Sequence, residues 1–373
     1  MSAVFFTAQF NHLLNSVIFI IRKSKEKSVV MRLSVAFAVI YFISLSPVFA
    51  DTTASTIAMP TPATESPLAS KSLLLDISPI GQNKLVSVGQ HGHILVSSDG
   101  DKWLQANVPV QVTLTSVFFL NEELGWAVGH DSTILHSQDG GLNWQVQQYL
   151  PLLEKPLFDV YFKDSQQGIA VGAYGQVFRT LDGGNTWKSE FHQEFLLADD
   201  VEYLNEVKAE DEVAYLDEIA FILPHFNGLV QDGQNLFLLG ETGLLAKSDD
   251  FGITWQQFDA FYQGSFFSLA RTKTGNVLVA GLRGHVYRSD KSSSQWNEIS
   301  TDTTALLNDI VFANDNRIFI LGNNGMLLVS TDDGESFSKR PQQDGKTLIA
   351  GVWFKGKLIA VSDVGIKVID LAQ

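Results

Sequence analysis

Four short stretches repeat a hydroxyl, a carboxylate, a glycine and an aromatic at one spacing: Ser137-Asp139-Gly141-Asn143-Trp144, Thr180-Asp182-Gly184-Thr186-Trp187, Ser248-Asp250-Gly252-Thr254-Trp255 and Ser330-Asp332-Gly334-Ser336-Phe337. Ser97-Asp99-Trp103 is one residue short, and Ser289 to Trp296 has lost the carboxylate. Aspartates so placed can do two kinds of chemistry. They can act as catalytic acids, or they can accept N–H groups of their own turn while glycine takes the positive φ that other residues avoid. The second reading fits the spacing, so Asp99, Asp139, Asp182, Asp250 and Asp332 are expected to be structural. The aromatic closes each turn over a sheet, where its burial is worth roughly 2 to 3 kcal/mol.

A second repeated turn shows what these boxes belong to. It occurs at Gly89/Gly92, Gly129/Ser132, Gly172/Gly175, Gly240/Gly243, Gly281/Gly284, Gly322/Gly325 and Ser362/Gly365. The first positions step by 40, 43, 68, 41, 41 and 40 residues. A period near 40 is that of a propeller blade, and each Gly-x-x-Gly turn followed by a box describes two turns of a β-meander. The expected fold is therefore all-β, a seven-bladed propeller with four-stranded antiparallel blades. Blade seven has only Leu348 to Phe354, Leu358 to Val361 and Ile366 to Ile369. An open sheet edge is costly, so an N-terminal strand just before Leu73 is expected to close the last blade.

The one long step holds an acidic insert, residues 194–224, between blades three and four. Ten acids stand there against one lysine, and Leu197, Val201 and Leu204, then Val213, Leu216 and Ala220, fall at helical spacing before Pro224. One or two amphipathic helices follow from that pattern, packed on one side and charged on the other. In a meander blade the strand 2–3 turns and the strand 4–1 connections share a face. The Gly-x-x-Gly turns and the insert therefore lie together, opposite the boxes, and that rim carries His91, His130, Asp131, Tyr174, Glu241, Arg283, Asn323, Asn324 and Asp363. Loops on a rigid ring are where propeller partners meet the fold, so this is the candidate binding rim. His91, His130, His225 and Asp131 have metal-ligating chemistry, but no local spacing resembles a ligand motif, and no metal or other cofactor is expected.

Composition narrows the partners. The chain has no cysteine and a formal net charge of −15. Residues 1–50 read as an export signal region, with the true start at Met31, an apolar run from Leu33 to Leu45 and cleavage after Ala50. Their removal leaves 21 basic and 40 acidic residues, a net charge of −19. Such a surface repels nucleic acid and anionic lipid headgroups and suits a basic partner surface or a cation. Residues 51–70, rich in Thr, Ser, Ala and Pro, read as a flexible linker, and 71–373 as the propeller. The mature protein is expected to be an exported monomer, periplasmic or extracellular.

Two families resemble this chain. The boxes are similar to the Asp-boxes of sialidases and other BNR-repeat glycosidases, which implies, as the alternative, a glycoside hydrolase or a carbohydrate-binding propeller. The longer blade pattern, with Gly125-Trp126-Ala127-Val128-Gly129 and Ser137-Gln138-Asp139-Gly140-Gly141-Leu142-Asn143-Trp144, resembles the photosystem II stability/assembly factor propellers over nearly all of residues 73–370. That resemblance implies a non-catalytic scaffold that holds a membrane-protein complex or its assembly intermediate. A sialidase would need three converging arginines, and Arg179, Arg271, Arg283, Arg288, Arg317 and Arg340 are spread over different turns and strands. The expected function is thus non-enzymatic binding of a protein partner through the rim and the insert.

Overall fold

Among the described residues, six sheets of four strands and one of three follow one another, each an antiparallel meander in sequence order. The computed structural model describes residues 59–371 except 294. The expected export signal region and the first part of the expected linker lie outside the described residues. Strands number β1 to β27 in chain order. The innermost strands of the seven blades are β1 (Leu74–Ile80), β5 (Leu114–Phe119), β9 (Leu157–Phe162), β13 (Phe226–Asp232), β17 (Phe266–Arg271), β21 (Leu307–Phe312) and β25 (Leu348–Phe354).

The second strand of each blade is apolar almost without alternation, as in Val277–Gly281 and Ile318–Gly322, and is buried along its length. Continuous apolar runs are what a strand needs when both of its faces meet protein. Seven apolar clusters accordingly fill the seams between neighbouring blades, and the ring closes where Ile359 and Val361 of β26 (Lys357–Ser362) pack with Leu85 and Leu95 of blade one. The fourth strands are short and polar, as in Gln145–Gln148 and Lys188–Glu190, because their outer side faces water.

The seventh blade keeps three strands and is closed differently from expectation. Ala69–Lys71 forms a 3-10 turn, not a ladder strand, against β27 (Gly365–Ile369). Ala69 is buried with Ile359 and Val361. A Cβ on Gly365 would meet Ser70 O at 2.1 Å, just as one on Gly284 would meet Thr303 O at 2.0 Å in the connection after blade five. The N-terminal segment therefore supplies blade seven's strand 4–1 connection without its fourth strand. Part of the linker is also held more firmly than expected. Ala63 N–H donates to Val108 O at 2.9 Å, and the Gln105 and Gln111 side chains bond Thr64 O and Pro62 O.

The insert folds as two helices, α1 (Ala198–Glu210) and α2 (Glu212–Ile219), between blades three and four. Asp211 ends α1 and starts α2, its carboxylate accepting the Val213 and Ala214 N–H groups as an N-cap does. Among the described residues no helix is long and apolar enough to cross a membrane.

Candidate partner-binding face

The strand 2–3 turns of the first six blades each present one residue to the same face. His91, Asp131, Tyr174, Thr242, Arg283 and Asn324 hold φ between 55° and 59° at equivalent places. The next residue is pressed against the strand 4–1 connection: a Cβ on Gly92 would meet Val110 O at 2.0 Å, and one on Gly175 would meet Leu223 Cβ at 2.4 Å. That close approach explains the second glycine of the repeat. Ser132 fills the position in blade two, and its N–H and hydroxyl both donate to Lys155 O at 2.9 Å.

The nine expected rim residues divide in two. His91, His130, Tyr174, Arg283, Asn324 and Asp363 are exposed at turn tips, whereas Asp131, Glu241 and Asn323 are half-buried. Asn323 Oδ1 accepts from Asn308 Nδ2 at 3.0 Å, and Glu241 Oε2 accepts the His225 N–H at 3.2 Å. Among the described residues no group of three or more His, Cys, Asp or Glu is placed to hold a metal ion. His225 instead accepts the Tyr174 N–H at 2.9 Å through Nδ1 and stands edge-on to the Tyr174 ring, with centroids 4.5 Å apart.

The insert stands over this same face. Phe221, just beyond α2, meets Tyr174 edge to face at 5.1 Å, and Lys155 Nζ lies 4.5 Å from the Phe221 ring and donates to Ala220 O. Its entry is anchored by charge. Arg179 Nε donates to Glu190 at 2.7 Å, and its Nη atoms donate to Phe251 O and Gly252 O of blade four, each at 2.8 Å. Buried His192 lies between Glu190 (3.5 Å) and Glu194 (2.9 Å). Burial alone would lower the His192 pKa, but the two carboxylates raise it; burial would raise that of Glu190, but His192 and Arg179 draw it down to about 2. Arg179 and Arg271, which pairs with Asp232, are thus committed to the scaffold.

On the opposite face the box carboxylates turn inward on their own loops. Asp182 accepts from Thr186 N–H (2.9 Å) and the Thr186 hydroxyl (2.7 Å), while Thr180 Oγ1 accepts the buried Gly184 N–H at 2.8 Å. These bonds hold the Asp182 pKa down to about 2. Asp139, Asp250 and Asp332 repeat the arrangement, and Asp99 keeps a shortened form of it.

Sequence reasoning missed a third set. Every innermost strand has a register shift at its second or third residue, and the residue after it faces a central channel of about 540 Å³. A bulge re-aims the side chain that follows it. Asp76 Oδ2 thereby accepts Val117 N–H of blade two at 2.8 Å, Asp159 Oδ2 accepts Leu229 N–H of blade four at 2.8 Å, and Asp309 Oδ2 accepts Gly351 N–H of blade seven at 2.9 Å. Ser116 and Ser268 donate to Asp159 and Asp309 in turn. These carboxylates are open to the channel but ringed by strand, and burial raises the pKa of all three, that of Asp76 to about 7. The available signal was the quartet Leu-x-Asp-Ile or Leu-x-Asp-Val at the start of blades one, three and six.

A family model described as photosynthesis system II assembly factor YCF48 matches residues 95–156 and 146–305. The photosystem II assembly protein Ycf48 of Synechococcus sp. (strain JA-3-3Ab) is 46% identical over 52 residues, 13% of this chain and 16% of that protein. Its counterpart from Synechococcus sp. (strain JA-2-3B'a(2-13)) is 46% identical over 54 residues, again 16% of the relative, so the chain spans about a sixth of these relatives' length in the matched segments. A solved structure described as YCF48 bound to D1 peptide superposes with a TM-score of 0.61 at 18% identity, covering 83% of this chain and 98% of that one. YCF48 from Cyanidioschyzon merolae gives 0.59 at 16% identity with the same coverage. The WD40 propeller of Doa1 gives 0.58 at 12% identity, covering 84% and 96%, so these superpositions speak for the fold alone.

Proposed function

The chain belongs to the photosystem II assembly factor Ycf48 family, and from that premise we propose that it is a non-catalytic, exported scaffold holding a protein partner on its rim face. One observation carries the reading: the only long break in a regular seven-fold repeat lies on the face that bears the exposed turn tips, tied to it through Tyr174, Phe221 and His225. A solved relative carries a bound D1 peptide, which supports a peptide segment of a partner protein as the class of ligand here. The polar rim and the insert would grip that segment while the ring stays rigid. The scaffold acts as a monomer in the periplasm or outside the cell.

The test is cross-linking and pull-down from envelope extracts with three proteins: the parent, a rim variant (His91→Ala, Tyr174→Ala, Arg283→Ala), and a protein in which residues 198–219 are replaced by a short Gly-Ser bridge. A specific partner held by the parent and released by both variants is the expected result. Unchanged capture by both variants moves the site off this face, and hydrolysis of fluorogenic glycosides, sialosides included, overturns the non-catalytic reading.

A further inference from the structure

The second helix of the insert turns an apolar stripe outward. Val213 is 67% exposed and Leu216 54%, although residues three apart on a helix share a face. Phe221, past the end of α2, is 62% exposed. The sequence pattern leads one to expect these side chains against the ring, since burying each is worth about 1.5 to 3 kcal/mol. The hairpin has one buried side chain, Leu204 of α1, which is 4% exposed, and α1 and α2 pack against each other, so the α2 stripe is left to solvent.

Charge frames that stripe. Glu212 lies four residues before Leu216 and Asp217 four after Val213, so both share its face, and both are exposed. Ten acids occupy residues 194–223 against Lys208, whose ammonium sits 4.6 Å from the Tyr215 ring. An apolar stripe flanked by carboxylates is one half of a helix pair, and its complement is apolar with cations beside it. We propose that the α2 face receives a basic amphipathic helical segment of the partner protein. This deepens the scaffold reading and rests on it. An anionic membrane is repelled by the same acids, and a second copy of the chain would set like charges against like across a two-fold contact.

The probe is a labelled 18-residue amphipathic helix of Leu and Lys, titrated by fluorescence anisotropy against the chain from residue 51 onward. The expected results are binding that weakens steeply with salt, as exposed charges are screened beyond about 8 Å at physiological ionic strength, and at least tenfold weaker binding by the Val213→Ser/Leu216→Ser variant. Glu212→Gln/Asp217→Asn should bind severalfold more weakly with a flatter salt dependence, and a Leu/Glu control peptide should not bind. Both variants change exposed residues, and thermal melts confirm their folding. Equal binding by Val213→Ser/Leu216→Ser, or equal binding of the Leu/Glu peptide, overturns the proposal. So does peptide binding by residues 51–373 that disappears in the full chain, because the occupant is then the chain's own apolar-basic stretch, Val17–Lys27. Envelope capture that survives Val213→Ser/Leu216→Ser also overturns it while sparing the scaffold reading. A parent protein that captures nothing overturns the scaffold reading itself.

Discussion

Asp159 and Leu229 are 70 residues apart in sequence, yet the Asp159 carboxylate accepts the Leu229 N–H at 2.8 Å across the seam between blades three and four. The whole insert is thus bypassed at the channel. Arg179 bridges the same seam on the box side through Phe251 O and Gly252 O. Phe195, Leu196, Ile222 and Leu223, which flank the helices, pack into the seam as well. Replacing residues 198–219 with a Gly-Ser bridge should therefore leave the ring folded, with a melting temperature within a few degrees of the parent. Collapse of the cooperative melt would show that the helices hold the seam together.

Removing the channel carboxylate itself should be more costly. Asp159→Ala strands the Leu229 and Val160 N–H groups and the Ser116 hydroxyl. A buried donor left without its acceptor costs about 1 to 3 kcal/mol, so a loss of about 2 kcal/mol or more is expected in urea unfolding. A change under about 0.5 kcal/mol would mean that channel water replaces the carboxylate without loss.

The repeat was legible because period and turn chemistry are local. Asp332 sits four residues from Ser336, whose N–H and hydroxyl it accepts, and the Gly281/Gly284 turn recurs at a fixed period, so spacing alone predicts both faces of the ring. What escaped depends on neighbours distant in sequence. Asp76, Asp159 and Asp309 look like ordinary strand polar residues until bulges aim them at the next blade. Val213 and Leu216 look like a packing face, yet they stand exposed while Leu204 of α1 is the buried residue of the hairpin. The last blade's closure misled for a similar reason: edge avoidance predicts that something covers β27, but not that a 3-10 turn covers only its first end.

Box turns should matter for stability and not for turnover. Thr180 is buried, and its hydroxyl accepts the Gly184 N–H, so Thr180→Val should cost about 1 to 2 kcal/mol in urea unfolding. Asp182→Ala should lower the melting temperature in the same direction. Loss of a glycosidase activity at unchanged stability in Asp182→Ala would assign that carboxylate a catalytic role.

The N-terminal closure predicts an aggregation phenotype. Deleting residues 59–71 removes Ala69 from the seam between blades seven and one and uncovers the Gly365 end of β27, a strand whose far end already leaves Val368 48% exposed. An unpaired apolar edge templates pairing with other chains. Light scattering should show faster aggregation at 40 °C and the melt should move down; a truncated protein as stable and monomeric as the parent would mean that β27 needs no cover.

Two sets of carboxylates give stability opposite pH dependences. Asp182, Glu190 and Asp332 have folded pKa values drawn down to about 2, so the folded state binds fewer protons than the unfolded one, and their contribution is lost as pH falls from about 4 towards 2. Asp76 has its pKa raised by burial to about 7, with Asp159 and Asp309 raised in the same direction. Here the folded state binds more protons than the unfolded one, so stability declines as pH rises from about 4 through about 7. His192, whose pKa Glu190 and Glu194 raise against the effect of burial, adds to that decline above its usual range, because its contribution is full below the unfolded value and lost as pH rises through the raised one. The net expectation is a stability maximum in mildly acidic solution, near pH 4 to 6, with losses on both sides. Urea midpoints measured from pH 3 to 9 test it, and Asp76→Asn, which cannot titrate, should flatten the upper limb and leave the lower one unchanged. A parent whose stability rises from pH 5 to 8, or an Asp76→Asn variant with the parent's slope there, would show that Asp76 is ionised in the folded channel throughout that range.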